Sequence, residues 1–125
     1  MVSVKCNYVN CPTKSGDDYF IYTDIDVSGH ADTLMMNHTT GIKLCAGISA
    51  CCYGIRQLIN SSSYYMELEK GHFHIWTAKK KDIKHNLDKT SVYALNTLVC
   101  QLYELYNNYP SYFKSFELID VKENY

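Results

Sequence analysis

Val2, Val4, Cys6 and Tyr8 alternate with polar residues, the period of a strand with one buried face, and the alternation predicts a first strand ending near Asn10. Pro12, Lys14, Ser15, Gly16 and Asp17 carry turn chemistry, after which Ile21, Thr23, Ile25 and Val27 alternate with Phe20, Tyr22, Asp24 and Asp26. These two segments read as a hairpin. Residues 28–40 have neither period and predict a loop of about a dozen residues, long enough to imply a function. Leu44, Ile48, Cys51, Cys52, Ile55, Leu58 and Ile59 then recur at helical spacing, with Thr39 or Thr40 available as a cap. Tyr64, Met66 and Leu68, a turn at Lys70 and Gly71, and Phe73 and Ile75 predict a second hairpin. From Asp88 onward Val92, Leu95, Leu98, Val99 and Leu102 mark a second helix that Pro110 ends, and residues 116–121 supply a last edge strand. The order β-β-α-β-β-α-β implies an α+β fold, one domain spanning residues 1–125. Its largely antiparallel sheet of four to five strands packs with two main helices.

Composition narrows the class without changing that picture. With 125 residues, 46% hydrophobic and 20% charged, the chain is long enough to fold without disulfides or a structural metal. A formal net charge of −1 offers nucleic acid no long-range attraction, and no direct contact with it is expected. The run Lys79, Lys80, Lys81 reads as a solvated turn. No stretch approaches the ~20 apolar residues of a membrane span, and the first ten residues lack the pattern of a signal peptide, so a cytoplasmic protein is expected. In that reducing compartment the six cysteines are expected to be free thiols, most of them in the core. Gly47, Ala50 and Gly54 form a small-residue stripe on the first helix, where each glycine costs roughly 1 kcal/mol relative to alanine. The stripe implies close approach by a neighbouring helix or a second subunit.

Candidate chemistry centres on Cys45 and His30. Cys45 falls at the expected first turn of the first helix, where unpaired amides and the helix dipole favour a thiolate, the nucleophilic form of cysteine. His30, in Ser28-Gly29-His30-Ala31 just after a strand end, is the nearest general-base candidate, and Gly29 gives the backbone freedom to turn beside it. Ser49, four residues beyond Cys45, shares its helix face and offers a hydroxyl for an oxyanion or for orienting the pair. Asp26 and Asp32 are both open as a third member. Composition alone favours a blander reading, because a free cysteine on an apolar helix is usually core and a loop histidine usually only exposed.

Three runs in order change that balance: Ser28-Gly29-His30-Ala31, Leu44-Cys45-Ala46-Gly47-Ile48-Ser49-Ala50 and Gly71-His72-Phe73-His74-Ile75. Together they resemble the ribosomal-processing cysteine protease family, Prp, over nearly the whole chain. The resemblance implies a small α+β homodimer in which His30 is the base and Cys45 the nucleophile, with Gly29, Ala31, Ala46 and Ser49 shaping the site. It implies removal of a short N-terminal extension from large-subunit ribosomal protein twenty-seven, cutting after an aromatic residue, with no metal or cofactor. The loop between Ala31 and Thr40 would then act as a lid. Where the family usually carries an acidic residue shortly before the cysteine, this chain reads Gly41-Ile42-Lys43-Leu44.

Other classes compete with this reading. His72 and His74 on one side of a strand, with Cys6 or Cys11 nearby, would suit zinc, although no CxxC spacing accompanies them. A catalytically altered binding module of the same fold and a phage protease acting on a virion protein are the remaining alternatives.

Overall fold

A computed structural model of the chain describes residues 1–12, 18–31, 38–78 and 88–121, with the side chains of Pro12, Asp18, Tyr19 and His38 left aside. Its elements are β1 (Val2–Pro12), β2 (Asp18–Ser28), α1 (His38–Gly54), β3 (Tyr64–Glu69), β4 (His72–Thr77), α2 (Lys89–Asn108) and β5 (Phe113–Asp120). Short 3-10 turns at Arg56–Leu58 and Pro110–Tyr112 follow the two helices. The expected α+β arrangement and element order hold.

The five strands form one sheet in the order β3-β4-β2-β1-β5. All neighbours are antiparallel except β1 and β5, which run parallel at one edge. Between Asn7 and Tyr8 the β1–β2 register slips by a residue, leaving Thr23 without a cross-strand partner. The Thr23 hydroxyl donates to the Asn7 carbonyl at 3.3 Å and so satisfies a polar group at the bulge.

Alternation does what the sequence pattern requires. Val4, Cys6, Ile25, Val27, Phe73 and Ile75 point inward and are buried. Leu44, Ile48 and Cys52 of α1 and Leu95, Leu98 and Leu102 of α2 join them in one cluster. Val9, Cys11 and Ile21, beyond the bulge, gather with Val92 in a smaller one. Asp88 caps α2, its carboxylate accepting the Ser91 amide at 2.9 Å and the Ser91 hydroxyl, which holds the Asp88 carboxyl below its usual range.

Three expectations change. The helical spacing expected through Ile59 stops at Gly54, and the chain passes into a 3-10 turn that leaves Leu58 exposed while Ile59 stays buried. Among the described residues the small-residue stripe of α1 meets no close neighbour at its glycines, since a Cβ placed on Gly47 or on Gly54 would find no atom of another element within 4 Å. No described helix makes the close approach expected there. Third, α1 begins at His38, ahead of the two threonines expected to cap it. The Lys79 to Lys81 run lies outside the described residues, as do residues 32–37 of the expected lid and with them Asp32.

Candidate active site

His30 is positioned by two glycines. β2 ends at Ser28, and Gly29 turns the chain out of the sheet at φ +94°, a conformation a side chain would strain. A Cβ there would also collide with the Met1 carbonyl oxygen. The Gly29 amide donates to the Gly71 carbonyl at 3.0 Å, so the exit from β2 is tied to the β3–β4 turn. Gly71 has φ +81°, and a Cβ on it would lie 2.5 Å from His30 Nε2 and 2.7 Å from Cε1. The imidazole therefore lies against turn backbone that carries no side chain.

Cys45 arrives from the other side, on α1. Leu44, Ile48 and Cys52 face the core on successive turns, which leaves Cys45 at the margin of that buried stripe, half-exposed. The amide of Ala31, the residue after His30, donates to Cys45 Sγ at 3.1 Å. Ala31 is fully buried, so this donor is anchored and shielded from water. The contact fixes where the sulfur sits at the end of β2.

Cys45 does not stand in the first turn of α1, where the sequence pattern places it. Cys45 is the eighth residue of α1, about two turns past its start, beyond the reach of the unpaired N-terminal amides and of most of the dipole's effect. Its polar support comes across space from Ala31 instead. Oxyanion stabilisation by amides at the helix start is likewise unavailable beside Cys45.

His30 and Cys45 line one cavity of about 390 Å³ together with Gly29, Ala46, Ser49 and Gly71. Its apolar walls are Val2, Val27, Ile42, Ile48, Tyr53 and Phe73, with Lys70 also in the lining. Tyr53 is braced, its hydroxyl donating to the Leu68 carbonyl at 3.3 Å and its ring edge-on to Phe73 at 5.3 Å. Of the six residues singled out from sequence, five line the cavity and Ala31 sits behind it, reaching in through its amide. Sequence reasoning missed Ile42, Tyr53, Lys70 and Gly71 as site residues. A signal existed for two of them: Ile42, Cys45, Ala46, Ser49 and Tyr53 are spaced by three or four residues and share one helix face.

Asp26 does not join the site. In β2 it alternates with the inward Ile25 and Val27, and it lies 3.3 Å from His72 Nε2, with Asp24 2.9 Å from His74 Nε2. These pairs occupy the outer face of the sheet. Cys6 is paired with Ile25 and buried inward, so the histidines and the cysteine proposed for zinc face opposite sides, and Cys11 belongs to the smaller core cluster. Among the described residues no group of three or more His, Cys, Asp or Glu side chains could hold a metal ion.

Two fully buried thiols are held back from ionising. Burial pushes Cys6 up to about 12, with Asp24 and Asp26 adding to the effect, and Cys52 up to about 12, with Cys51 adding. Both are held as neutral thiols.

No protein-family model matches the chain, and no curated protein does. Solved structures do. The chain is similar to the essential ribosomal processing protease Prp from S. aureus in complex with a substrate peptide, at TM-score 0.63 and 23% identity over 94% of this chain and 99% of that one. Prp from S. aureus with a covalently linked product peptide aligns at TM-score 0.61 and 25% identity over 93% and 98%. SMU.848 from Streptococcus mutans aligns at TM-score 0.62 and 13% identity over 97% and 96%. The likeness to Prp read from three short motifs thus extends to the fold over most of the chain.

Proposed function

We propose that this chain is a cysteine endopeptidase with Cys45 as nucleophile and His30 as general base. The observation that carries the reading is the meeting of Cys45, His30 and the Ala31 amide at one cavity, from segments far apart in sequence. The cavity's apolar walls suit a side chain of an extended peptide, and Prp, whose fold this chain shares, was solved with peptides bound.

In this mechanism His30 takes the proton from Cys45, and the thiolate, held by the Ala31 amide, attacks the scissile carbonyl carbon. Ser49, one turn along the same face, supplies a hydroxyl toward the oxyanion. The tetrahedral adduct collapses by breaking the carbon–nitrogen bond, and the leaving amine takes the proton back from His30. A water then gives its proton to His30 and attacks the thioester, and the second collapse frees the acid and restores the thiol. Gly29 and Ala46 complete the wall around the reacting atoms, with Ala31 behind it.

The substrate we infer is the N-terminal extension of large-subunit ribosomal protein twenty-seven, cut during ribosome assembly by a cytoplasmic homodimer. The ribosomal-processing activity of the S. aureus protease Prp and the motif resemblance support this choice. Mass spectrometry of the ribosomal precursor after incubation with the protein and with its Cys45→Ala variant tests it. A single new N-terminus made only by the unsubstituted protein is expected. An uncut precursor alongside cleavage of a virion protein would replace the substrate, and no cleavage of any protein would leave a peptide-binding module.

A further inference from the structure

We propose that Gly71 is a positioning residue for His30. The β3–β4 turn holds the histidine twice: its carbonyl accepts the Gly29 amide at 3.0 Å, and its Cα carries no side chain where the imidazole lies. These are separate contacts, one on the backbone preceding His30 and one on its ring.

The chemistry needs both. His30 is exposed, and an exposed side chain samples several rotamers, whereas a general base must stay within hydrogen-bond reach of its proton. Tying Gly29 to the turn fixes where the Cα of His30 emerges. Packing the ring on a bare peptide then removes rotamers that would carry Nε2 elsewhere. A Cβ at Gly71 would stand 2.5 Å from Nε2 and 2.7 Å from Cε1, closer than carbon atoms approach any ring, and the ring is the softer partner because it turns about two torsions. A methyl at this position therefore displaces the imidazole. His30 is held by the absence of a side chain on a turn that sequence places far from it.

The functional consequence rests on the protease reading, but the placement of the ring does not, and the experiment separates them. The rate at which iodoacetamide alkylates Cys45 is followed against pH, by peptide mapping, in the parent, Gly71→Ala, His30→Ala and the double variant. At φ +81° alanine also strains the backbone, and that strain is common to both backgrounds and cancels in the comparison. We expect Gly71→Ala to slow Cys45 near neutral pH by about tenfold and to change its pH profile to that of His30→Ala. In the His30→Ala background the same substitution should change the rate by less than about twofold. An equal loss in both backgrounds overturns the proposal, since the glycine would then serve the turn alone. In the unsubstituted protein, nuclear Overhauser contacts between the His30 ring protons and the Gly71 Hα protons are expected. Their absence overturns the proposal whether or not Gly71→Ala folds. If those contacts are present while His30→Ala leaves Cys45 reactivity unchanged, the ring is positioned as stated and the protease reading is what fails.

Discussion

Cys45 and Cys52 lie on one helix and have opposite fates. Cys52 is fully buried with its thiol pushed up to about 12, whereas Cys45 opens on a cavity and receives an amide hydrogen. Limiting iodoacetamide at neutral pH should therefore modify Cys45 and the exposed Cys100 first, with Cys6 and Cys52 at least about a hundredfold slower. Peptide-mapped mass spectrometry reads the order, and comparable labelling of Cys52 would refute it. The same burial makes stability depend on pH. In the unfolded chain these thiols ionise near about 8.5, whereas Cys6 and Cys52 keep their protons to about 12 when folded. Their contribution is complete below the unfolded value and is lost as pH rises through that interval. Spacing placed Cys51 and Cys52 alike in the apolar run of α1, and only Cys52, in line with Leu44 and Ile48, is fully buried, while Cys100 is exposed. That Ala31 would reach Cys45, or Gly71 would flank His30, was not readable from spacing, since both depend on how distant segments return to one end of the sheet.

At the scale of elements, helix starts decide two matters. For α2 the apolar period places the helix from Asp88 onward, and the structure adds that Asp88 is its cap. Asp88→Ala should cost about 1 kcal/mol, seen as a lower Tm by thermal denaturation. Because the cap depresses the Asp88 carboxyl, the deficit should be full above its unfolded range and shrink as acid protonates the carboxylate. A deficit unchanged at low pH would mean the carboxylate does not supply the cap. For α1 the signal misled: Thr39 and Thr40 look like caps, yet the helix starts at His38, and the placement of Cys45 in a first turn fails with it. A shift of two or three residues in a helix boundary is small for a fold and large for a dipole argument. At Gly29, by contrast, alanine meets both an unfavourable φ and the Met1 carbonyl. Gly29→Ala should lower Tm and loosen the first residues of β1, read as faster hydrogen exchange at Val2 and Val4, and unchanged exchange there would contradict the contact.

Across the whole molecule the sheet separates two kinds of polar chemistry. One end carries His30 and the cavity, while the outer face carries His72 with Asp26, His74 with Asp24, and a stack in which His74 lies 4.4 Å from Trp76. The strand pattern showed His72 and His74 side by side, but only the β2–β4 pairing, with Asp26 across from His74 and Asp24 across from Trp76, brings the two carboxylates diagonally onto the rings. Replacing both histidines by alanine should leave peptide cleavage within about twofold, in chelator as in buffer, because this face does not line the cavity. Loss of activity on adding chelator would return attention to a metal. The division of labour makes the account depend on two side chains, so the most direct measurement is steady-state cleavage of a substrate peptide by the parent, Cys45→Ala and His30→Ala proteins. The account predicts no turnover without the Cys45 thiol, and for His30→Ala a kcat lowered by about 10² to 10⁴ with KM little changed. Full cleavage by Cys45→Ala would contradict it.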